Sequence, residues 1–259
     1  MREDGLVSII TPMRDAEKYI ESTINSVLAQ TYKTWEMIIV DDGSADASLE
    51  IAERYAAASP NIKIISQTRS AGIAGARNKG LARARGRYAA FIDSDDIWKE
   101  DKLSAQLDFM RANGYTLTYT ACELIDESGA PMNKTLAVRD SVGYKELLRS
   151  NCIVCSSVIA DLNEITVFMP NLRHEDYAAW LGILREGHTA HGLNAALTKY
   201  RIRKSSVSAN KLKSLAWVFN IYKNYLKMPA AKALLNVVVY FFCAAAKYAG
   251  ALGAVIRKA

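Results

Sequence analysis

Residues 88–96 read YAAFIDSDD, a short apolar run followed at once by a cluster of carboxylates. Three similar runs precede it, and polar residues follow each one: 7–11 (VSIIT), 35–40 (WEMIIV) and 62–66 (IKIIS). Short runs that are apolar on both faces are typical of buried parallel strands. Helical patterns lie between them, so the first hundred residues have the order β-α-β-α-β-α-β. This order predicts an α/β fold with a Rossmann-like, doubly wound, mostly parallel central sheet.

Capping residues and apolar spacing set the expected helix bounds. Asp15 could cap the first helix and Ser44 or Asp46 the second, because their side-chain oxygens can accept from free amides. The third helix is predicted near Ile73–Arg85, with Gly86 at its end. Later patterns are less regular, and they predict helices over 99–113 and 176–186, strands over 117–121 and 193–201, and a turn over 126–129.

Polar residues gather where the predicted strands end. Doubly wound sheets bind ligands outside the carboxyl ends of their strands. In this chain the rule selects four segments: Thr11–Arg14, Asp41–Ser44, Gln67–Gly72 and Asp93–Asp96.

The acidic cluster is the sharpest of these segments. Asp93, Asp95 and Asp96 would repel one another unless a positive group lay among them. A divalent cation with a bound diphosphate would balance them, because Mg²⁺ and Mn²⁺ prefer oxygen ligands. A solvated acidic turn that caps the next helix is the alternative. The position at a strand's carboxyl end favours the metal site.

Two other segments suggest a nucleotide. Asp42, in the run DDGS at 41–44, could accept a hydrogen bond from a base N–H or a ribose hydroxyl, although a helix cap is the alternative. The small-residue turn at 72–78 (GIAGARN) places Arg77 on the following helix. It matches neither the dinucleotide-binding nor the P-loop pattern, so neither of those sites is supported.

Four segments together resemble the large family-2 inverting glycosyltransferases of the GT-A fold. The resemblance covers about residues 5–205 and rests on the order and spacing of the set, whereas a single piece such as DDGS is a weak signal. One departure is visible, because Met13 and Arg14 stand where relatives often have Tyr-Asn. The segments are VSIITPMRDAEKYIESTINSVLAQTY (7–32), WEMIIVDDGSADAS (35–48), AGIAGARNKGLARARGRYAAFIDSDD (71–96) and HEDYAAW (174–180).

The resemblance implies roles for individual residues. Asp42 is implied to contact the nucleobase, usually uracil, with Thr11, Pro12, Arg14 and Arg77 alongside. Asp93-Ser94-Asp95 is implied to be the DxD motif, which holds the ribose and the metal-bound diphosphate. Asp95 and Asp96 are the expected ligands of Mn²⁺ or Mg²⁺.

The same resemblance implies that Asp176 is the catalytic base. Inversion requires a carboxylate that takes the acceptor hydroxyl's proton over about 3 Å. Glu175 is the alternative base, and His174 beside them could contact the acceptor or the diphosphate. Arg203, in a basic run at the end of the last predicted strand, could close over the diphosphate, and a solvated edge is the alternative. The run is Arg201, Arg203 and Lys204, followed by Ser205 and Ser206.

The cysteines and the amino terminus favour a cytoplasmic protein. The first residues have no long apolar segment of the kind that secretory signals carry. Four cysteines are too few for a disulfide scaffold, which fits a reducing compartment. Cys152 and Cys155 form a lone CxxC, for which two buried thiols are favoured over a zinc or redox site.

Charge is distributed very unevenly along the chain. The net charge is +6, yet residues 187–259 carry 12 Lys and Arg and no acid, whereas residues 1–186 carry 21 basic and 27 acidic residues. In the tail, apolar residues recur at helical spacing over 212–226, Pro229 interrupts the pattern, and the longest charge-free run, 233–246, is shorter than the roughly 20 residues of a membrane span. These features favour helices that lie on an anionic membrane surface. Packing on the catalytic domain, an oligomer contact and a true span are the alternatives.

These observations predict two parts. A GT-A catalytic domain over 1–205 has a nucleotide-sugar half (1–98) and an acceptor half (99–205), and C-terminal amphipathic helices follow over 206–259. The expected activity is metal-dependent, inverting transfer from a nucleotide-diphosphate sugar to a lipid-linked saccharide in bacterial surface-polysaccharide synthesis. A UDP-sugar is the expected donor. The protein is expected at the inner face of the plasma membrane, with no nucleic-acid partner.

Two other functional classes stay open. A nucleotidyltransferase that makes the sugar nucleotide shares the sheet and the metal site, but it usually has a Gly-rich loop with Arg and Lys after the first strand, which is absent from this sequence. A non-catalytic membrane-bound module on a degenerate fold is disfavoured by the intact acids at Asp42, Asp93, Asp95 and Asp176.

Overall fold

The computed structural model describes residues 2–203 and 211–256. The predicted clamp residues Lys204, Ser205 and Ser206 lie outside this part of the chain. The strands are β1 Glu3–Met13, β2 Trp35–Asp41, β3 Ile62–Ser66, β4 Gly86–Phe91, β5 Ile97–Trp98, β6 Leu117–Ile125, β7 Pro131–Leu136, β8 Ser141–Val142, β9 Ile159–Asp161 and β10 Ala190–Arg201. The helices are α1 Ile20–Leu28, α2 Ser48–Ala58, α3 Gly72–Leu81, α4 Lys102–Asn113, α5 Tyr144–Arg149, α6 Glu175–Arg185, α7 Lys211–Asn220, which continues as a π-helical turn over Ile221–Tyr225, and α8 Ala230–Ile256.

One mixed sheet forms the centre of the molecule. Its strand order is β3-β2-β1-β4-β9-β6-β10-β5, with β7 paired to β6 and β8 paired to β10. The first four strands are parallel, as predicted. Strand β9 joins the two halves and is antiparallel to both β4 and β6, whereas β10 is again parallel to β6. The antiparallel strands β7, β8 and β9 were not predicted from the sequence.

Alternation along the strands divides the core into two layers. On β1, Ile10 packs with Ile38 of β2 in the layer that also holds α3, α5, α6 and α7. Ile9 points the other way and packs with Met37 among side chains of α1 and α4. Both layers are buried, and this explains why these strands are apolar on both faces.

Two predicted helix ends were wrong, for different reasons. Asp15 does not cap α1, because its backbone is left-handed (φ 48°) and its carboxylate instead accepts from the amide of Ala45 at 2.8 Å. Gly86 does not end α3, which stops at Leu81; it begins β4. A Cβ at Gly86 would lie 2.4 Å from the carbonyl oxygen of Leu6, so glycine is required there for the close approach of two strands.

Other bounds are closer to the prediction. Helix α4 begins at Lys102 rather than residue 99, because the short strand β5 precedes it, and it ends at the left-handed Gly114 (φ 66°) as expected. The predicted turn at 126–129 is confirmed by a hydrogen bond from the amide of Gly129 to the carbonyl of Asp126 at 3.0 Å.

The first tail helix packs on the catalytic domain. Val218, Ile221 and Tyr222 are buried, and the hydroxyl of Tyr222 lies 2.7 Å from that of Tyr177 on α6. The apolar face of this helix is therefore covered by protein, which is the alternative that the sequence left open. Within the described residues, no helix combines the length and the apolarity that crossing a membrane would require.

Candidate active site

An arginine lies between the acidic loop after β4 and the start of α6. Arg77 on α3 donates one guanidinium nitrogen to Asp93 and another to Glu175. Its side chain is 2% exposed and that of Asp93 is 27% exposed. Burial would lower the pKa of Arg77, but the charges of Asp93 and Glu175 hold that pKa well above its ordinary value. The predicted DxD motif and the predicted base helix are thus joined by one buried cation.

The other end of the acidic loop is tied to β10. Arg203 forms an ion pair with Asp95 at 2.9 Å, and Arg201 donates to the carbonyl of Asp95 at 2.7 Å. Both guanidinium groups also lie over the ring of Tyr19, at 4.9 Å for Arg201 and 5.7 Å for Arg203. Arg203 therefore lies at the acidic loop, while its predicted closure over a diphosphate stays a prediction.

Asp96 faces the interior rather than the open side of the loop. It is 1% exposed, and its Oδ1 accepts from the amide of Arg201 at 2.8 Å. Its Oδ2 has no partner among the described residues. Burial, together with Asp95 and Asp93, raises the pKa of Asp96 well above its usual range. A metal role for Asp96 stays a prediction, and Oδ2 is the oxygen that it would use, because the Arg201 amide occupies Oδ1.

The oxygen donors at this loop suit a divalent cation that also carries a phosphate ligand. Burial and the charge of Asp93 raise the pKa of Asp95, which is the response of a carboxylate that lacks enough positive charge around it. In the described part of the chain, no three His, Cys, Asp or Glu side chains converge as a complete metal cage. A cation held by Asp95 and Asp93 would need further oxygens from a diphosphate, which is the usual arrangement for Mg²⁺.

Asp42 is surrounded by donors from the loop before α3. Its carboxylate accepts from the side chains of Gln67 (3.1 Å) and Ser70 (2.6 Å). The amides of Ala71 (2.7 Å) and Gly72 (3.0 Å) donate to it as well. The predicted contact of Asp42 with a nucleobase stays a prediction. It requires an N–H group of the base to replace one of these four donors.

The segment after the first strand contains one exposed and several buried groups. Thr11 and Pro12 lie inside β1, and the hydroxyl of Thr11 has no partner among the described residues. Arg14 is exposed, and it donates to Ser70 at 2.7 Å and pairs with Asp15 at 3.6 Å. Because Ser70 also binds Asp42, Arg14 belongs to the same surface as the predicted base site.

Asp176 lies in the first turn of α6, next to Glu175. Burial raises the pKa of Asp176, and Arg77 opposes that rise while Asp93 adds to it. No described side chain donates a hydrogen bond to the Asp176 carboxylate, whereas Glu175 is occupied by Arg77. Burial also raises the pKa of Glu175. Of this adjacent pair, Asp176 is therefore the carboxylate that no described side chain engages, and its role as the base stays a prediction.

His174 contacts the tail helix instead of the acidic loop. Its backbone is left-handed (φ 58°), and its Nε2 lies 3.0 Å from the hydroxyl of Ser214 on α7. Its ring meets that of Trp217 edge to face at 5.3 Å. Burial lowers the pKa of His174. The predicted contact of His174 with acceptor or diphosphate stays a prediction.

Tyr200 is a site residue that the sequence did not single out. Burial raises the pKa of its hydroxyl, and Asp96, Asp93 and Asp176 add to that rise. It precedes Arg201 on β10, close enough to the acids for their charges to act on its hydroxyl. Ser156 is another, because its hydroxyl accepts from the amide of Asp93 at 3.0 Å. Neither Tyr200 nor Ser156 belongs to a sequence motif that would have marked it as a site residue.

Comparison with known proteins decides the family. A family model described as "Glycosyl transferase family 2" matches residues 8–161, which include the acidic loop and the strands that place it. The chain belongs to glycosyl transferase family 2. The predicted family and glycosyltransferase activity are confirmed, and membership argues against a nucleotidyltransferase.

Curated relatives of this family-2 chain match over nearly its whole length. One is the putative teichuronic acid biosynthesis glycosyltransferase TuaG of Bacillus subtilis, 40% identical over 237 residues, which cover 91% of this chain and 94% of that protein. Another is WfgD of Escherichia coli, named UDP-Glc:alpha-D-GlcNAc-diphosphoundecaprenol beta-1,3-glucosyltransferase, 36% identical over 92% of this chain and 94% of that protein.

Solved structures confirm the GT-A fold. S. aureus TarS in complex with UDP-GlcNAc superposes with a TM-score of 0.70 at 21% identity, over 93% of this chain and 72% of that one. The mannosyltransferase PcManGT from Pyrobaculum calidifontis, solved with GDP-Man and Mn²⁺, gives a TM-score of 0.65 at 16% identity, over 98% and 80%. At these identities the likeness concerns the fold alone.

Proposed function

We propose that this family-2 enzyme moves a sugar from a UDP-sugar, with a divalent cation, to a lipid-linked saccharide during synthesis of a bacterial surface polysaccharide. The observation that carries the proposal is the shared cation Arg77, which links Asp93 of the acidic loop to the helix that bears Asp176. A donor at the loop and an acceptor at the helix would thereby meet in one place. The relative WfgD, whose name states a UDP-Glc donor and a diphosphoundecaprenol-linked acceptor, supports the substrate classes.

In this proposal each group has one role. Asp176 takes the proton of the acceptor hydroxyl, because its carboxylate is not engaged by a neighbouring side chain. Arg77 holds Asp93 and Glu175 in place, and Asp95 with Asp93 would hold the cation. When bound, Mn²⁺ or Mg²⁺ supplies Lewis-acid stabilisation to the leaving diphosphate. Arg203, already at Asp95, lies where it can bind a phosphate oxygen.

We also propose that the enzyme acts at the inner face of the plasma membrane. Helix α8 exposes large apolar side chains along the described part of its length, and the sequence after Glu186 contains 12 basic residues and no acid. Apolar side chains beside lysines are the composition of helices that lie in an anionic lipid surface. The exposed apolar residues of α8 are Leu234, Leu235, Val238, Phe241 and Phe242. Self-association through α8 is the alternative occupant of this face.

Donor class is tested by thermal unfolding of the purified protein with UDP-, GDP- and dTDP-sugars, each with and without Mn²⁺. A ligand that binds the native state raises the melting temperature by mass action. We expect a metal-dependent increase with a UDP-sugar. An increase only with GDP- or dTDP-sugars would contradict the proposed donor, and no response to any sugar nucleotide would contradict the proposed transferase site.

The base assignment is tested by Asp176→Asn. Asparagine keeps the shape of the side chain but cannot take a proton, so donor-dependent stabilisation should remain while transfer falls by about 10²-fold or more, the range of a lost general base. Asp108→Asn, on the exposed side of α4, is the matched control and should transfer normally. Full activity in Asp176→Asn would remove Asp176 from the base role.

A further inference from the structure

A second, basic cavity lies away from the acidic loop. It has a volume of about 460 Å³ and lies between α5, the carboxyl end of α6, and the corner that leads from the π-helical turn into α8. The residues of its wall include no Asp or Glu. Five of them are cationic: Lys145, Arg149, Arg185, Lys227 and Lys232.

Within residues 2–203 and 211–256, these five cations have no neutralising partner. In the described part of the chain, none of the five forms an ion pair with a carboxylate. Arg185 donates one nitrogen to the carbonyl of Leu226 at 3.0 Å, which fixes its guanidinium at the cavity wall. Like charges brought together at one cavity repel one another, so an anion bound there would relieve that repulsion.

The backbone adds to the positive potential. Helix α8 begins at Ala230, and Pro229 and Lys232 from either side of that start line the cavity. The first amides of a helix have no intrahelical acceptor and carry the positive end of the helix dipole. Lys227 has left-handed backbone (φ 57°), which turns the chain sharply at this corner. A helix start beside cationic side chains is a favourable place for a phosphate.

The cavity is also partly apolar. Leu148 and Leu226 are buried in its wall, and Met228 and Pro229 complete the apolar portion. A wall with both cations and aliphatic groups suits a phosphate that is joined to a hydrocarbon chain better than it suits a free inorganic ion. The helix that borders the cavity is also the helix with exposed apolar residues at Leu235 and Val238.

We propose that this cavity binds a lipid-borne phosphate and so fixes the catalytic domain against the membrane. The inference rests on the proposed function, because it assumes a membrane-bound acceptor. Helix α6 connects the cavity to the site: Arg185 is at its carboxyl end and Asp176 in its first turn, about 14 Å apart at 1.5 Å per residue. A phosphate held at Arg185 would set the depth of Asp176 above the lipid surface. The phosphate could belong to an anionic phospholipid or to the diphosphate of the acceptor.

The test compares two double variants with equal loss of charge. Arg149→Gln with Lys232→Gln removes two cations from the cavity. Arg54→Gln with Lys33→Gln removes one arginine and one lysine that are exposed near the opposite face of the sheet. Flotation is measured with phosphatidylcholine vesicles that contain either phosphatidylglycerol or a polyprenyl diphosphate-linked sugar, and thermal unfolding is measured with inorganic phosphate alone.

We expect the cavity variant, and not the control, to bind at least one vesicle type about 25-fold more weakly, since each of the two cations removed contributes about a factor of five near an anionic leaflet. Loss confined to phosphatidylglycerol vesicles assigns a phospholipid headgroup, and loss confined to the other vesicles assigns the acceptor diphosphate. Equal binding by cavity variant and control on both vesicle types, no vesicle binding by the wild type, or a response to inorganic phosphate alone overturns the proposal.

Donor-dependent stabilisation and transfer are measured on the same preparations. If the wild type transfers sugar to the lipid-linked acceptor and the cavity variant binds vesicles as well as the wild type does, the cavity proposal is contradicted. The proposed function then stays intact. Absence of donor binding and of transfer in the wild type removes the proposed function, whatever the vesicles show. The two failures are therefore distinguishable.

Discussion

Glu36 is a buried carboxylate that the structure pairs far from the active site. Its side chain is 2% exposed, and burial alone would raise its pKa. Hydrogen bonds from Lys63, from the amide of Arg85 and from Ser8 outweigh burial and lower the pKa of Glu36 to about 2, from an ordinary 4.5. A carboxylate whose pKa falls on folding stabilises the native state above its unfolded pKa.

Glu36→Gln should therefore lower the free energy of unfolding by about 3 kcal/mol at neutral pH. In the wild type this contribution is lost as the pH falls from about 4.5 toward about 2, so the variant should lose less stability over that interval. Urea unfolding at several pH values measures both effects. Glu53→Gln, exposed on α2, is the control, and wild-type stability in Glu36→Gln would contradict the prediction.

The pH dependence of transfer separates Asp176 from Glu175. Burial raises the pKa of Asp176 above 3.8, and activity should fall as the pH drops through that raised value, because a base must be ionised. Glu175→Gln removes a neighbouring negative charge and leaves Arg77 free to act on Asp176, so the acidic limb of kcat/KM should move to lower pH. An acidic limb that stays in place, or that moves to higher pH, contradicts the predicted influence of Glu175 on the pKa of Asp176. Loss of transfer in Glu175→Gln would make Glu175 the base.

At the scale of elements, α7 contacts the start of α6, the helix whose first turn contains Asp176. His174→Asn tolerates the left-handed backbone but loses the hydrogen bond to Ser214 and the edge contact with Trp217. We expect a several-fold lower kcat with unchanged donor binding and a melting temperature close to the wild type, because the start of the base helix is less constrained. Unchanged kcat would show that α7 only covers α6. Asn113→Asp, at the far end of α4, is the control variant, and its kcat should equal that of the wild type.

The parallel strands were predictable because burial on both faces leaves a short apolar run, and its length and the polar residues after it favour a strand over a helix. The runs that became β1 to β4 therefore fall within a few residues of their predicted bounds. Strands β7 and β8 were missed since β7 is largely exposed and β8 has two residues. The site acids could be found because each follows a strand or opens a helix, but their pairing through Arg77 is a tertiary contact that joins residues 98 positions apart.

For the tail, the sequence predicted amphipathic helices but not what would cover them. An apolar stripe fits a lipid surface and a protein surface equally well. The stripe of α7 packs on α6 through Tyr222, whereas that of α8 leaves Phe242 65% exposed. Helical periodicity holds no information about distant packing, so the division between α7 and α8 emerged only from the structure.

At the scale of the whole molecule, charge and apolar exposure should make separable contributions to membrane binding. Attraction between the basic tail and an anionic vesicle is screened by salt, with a Debye length that falls from about 10 Å at 0.1 M to about 3 Å at 1 M. Burial of the α8 side chains in lipid does not depend on screening. Wild-type binding to phosphatidylglycerol vesicles should therefore weaken with added salt but keep a salt-resistant part.

Phe241→Ser with Phe242→Ser should remove that salt-resistant part. Both side chains are exposed in the protein, so the melting temperature should stay near the wild-type value. Vesicle binding should weaken by about a hundredfold or more at every salt concentration, given about 1.5–3 kcal/mol for burying each Phe side chain. The flotation assay, repeated over a range of salt concentrations, gives the salt dependence of vesicle binding for the wild type and for the double variant. If the double variant binds like the wild type at high salt, then α8 does not enter lipid, and a change in oligomeric state instead would assign its apolar face to a second copy of the chain.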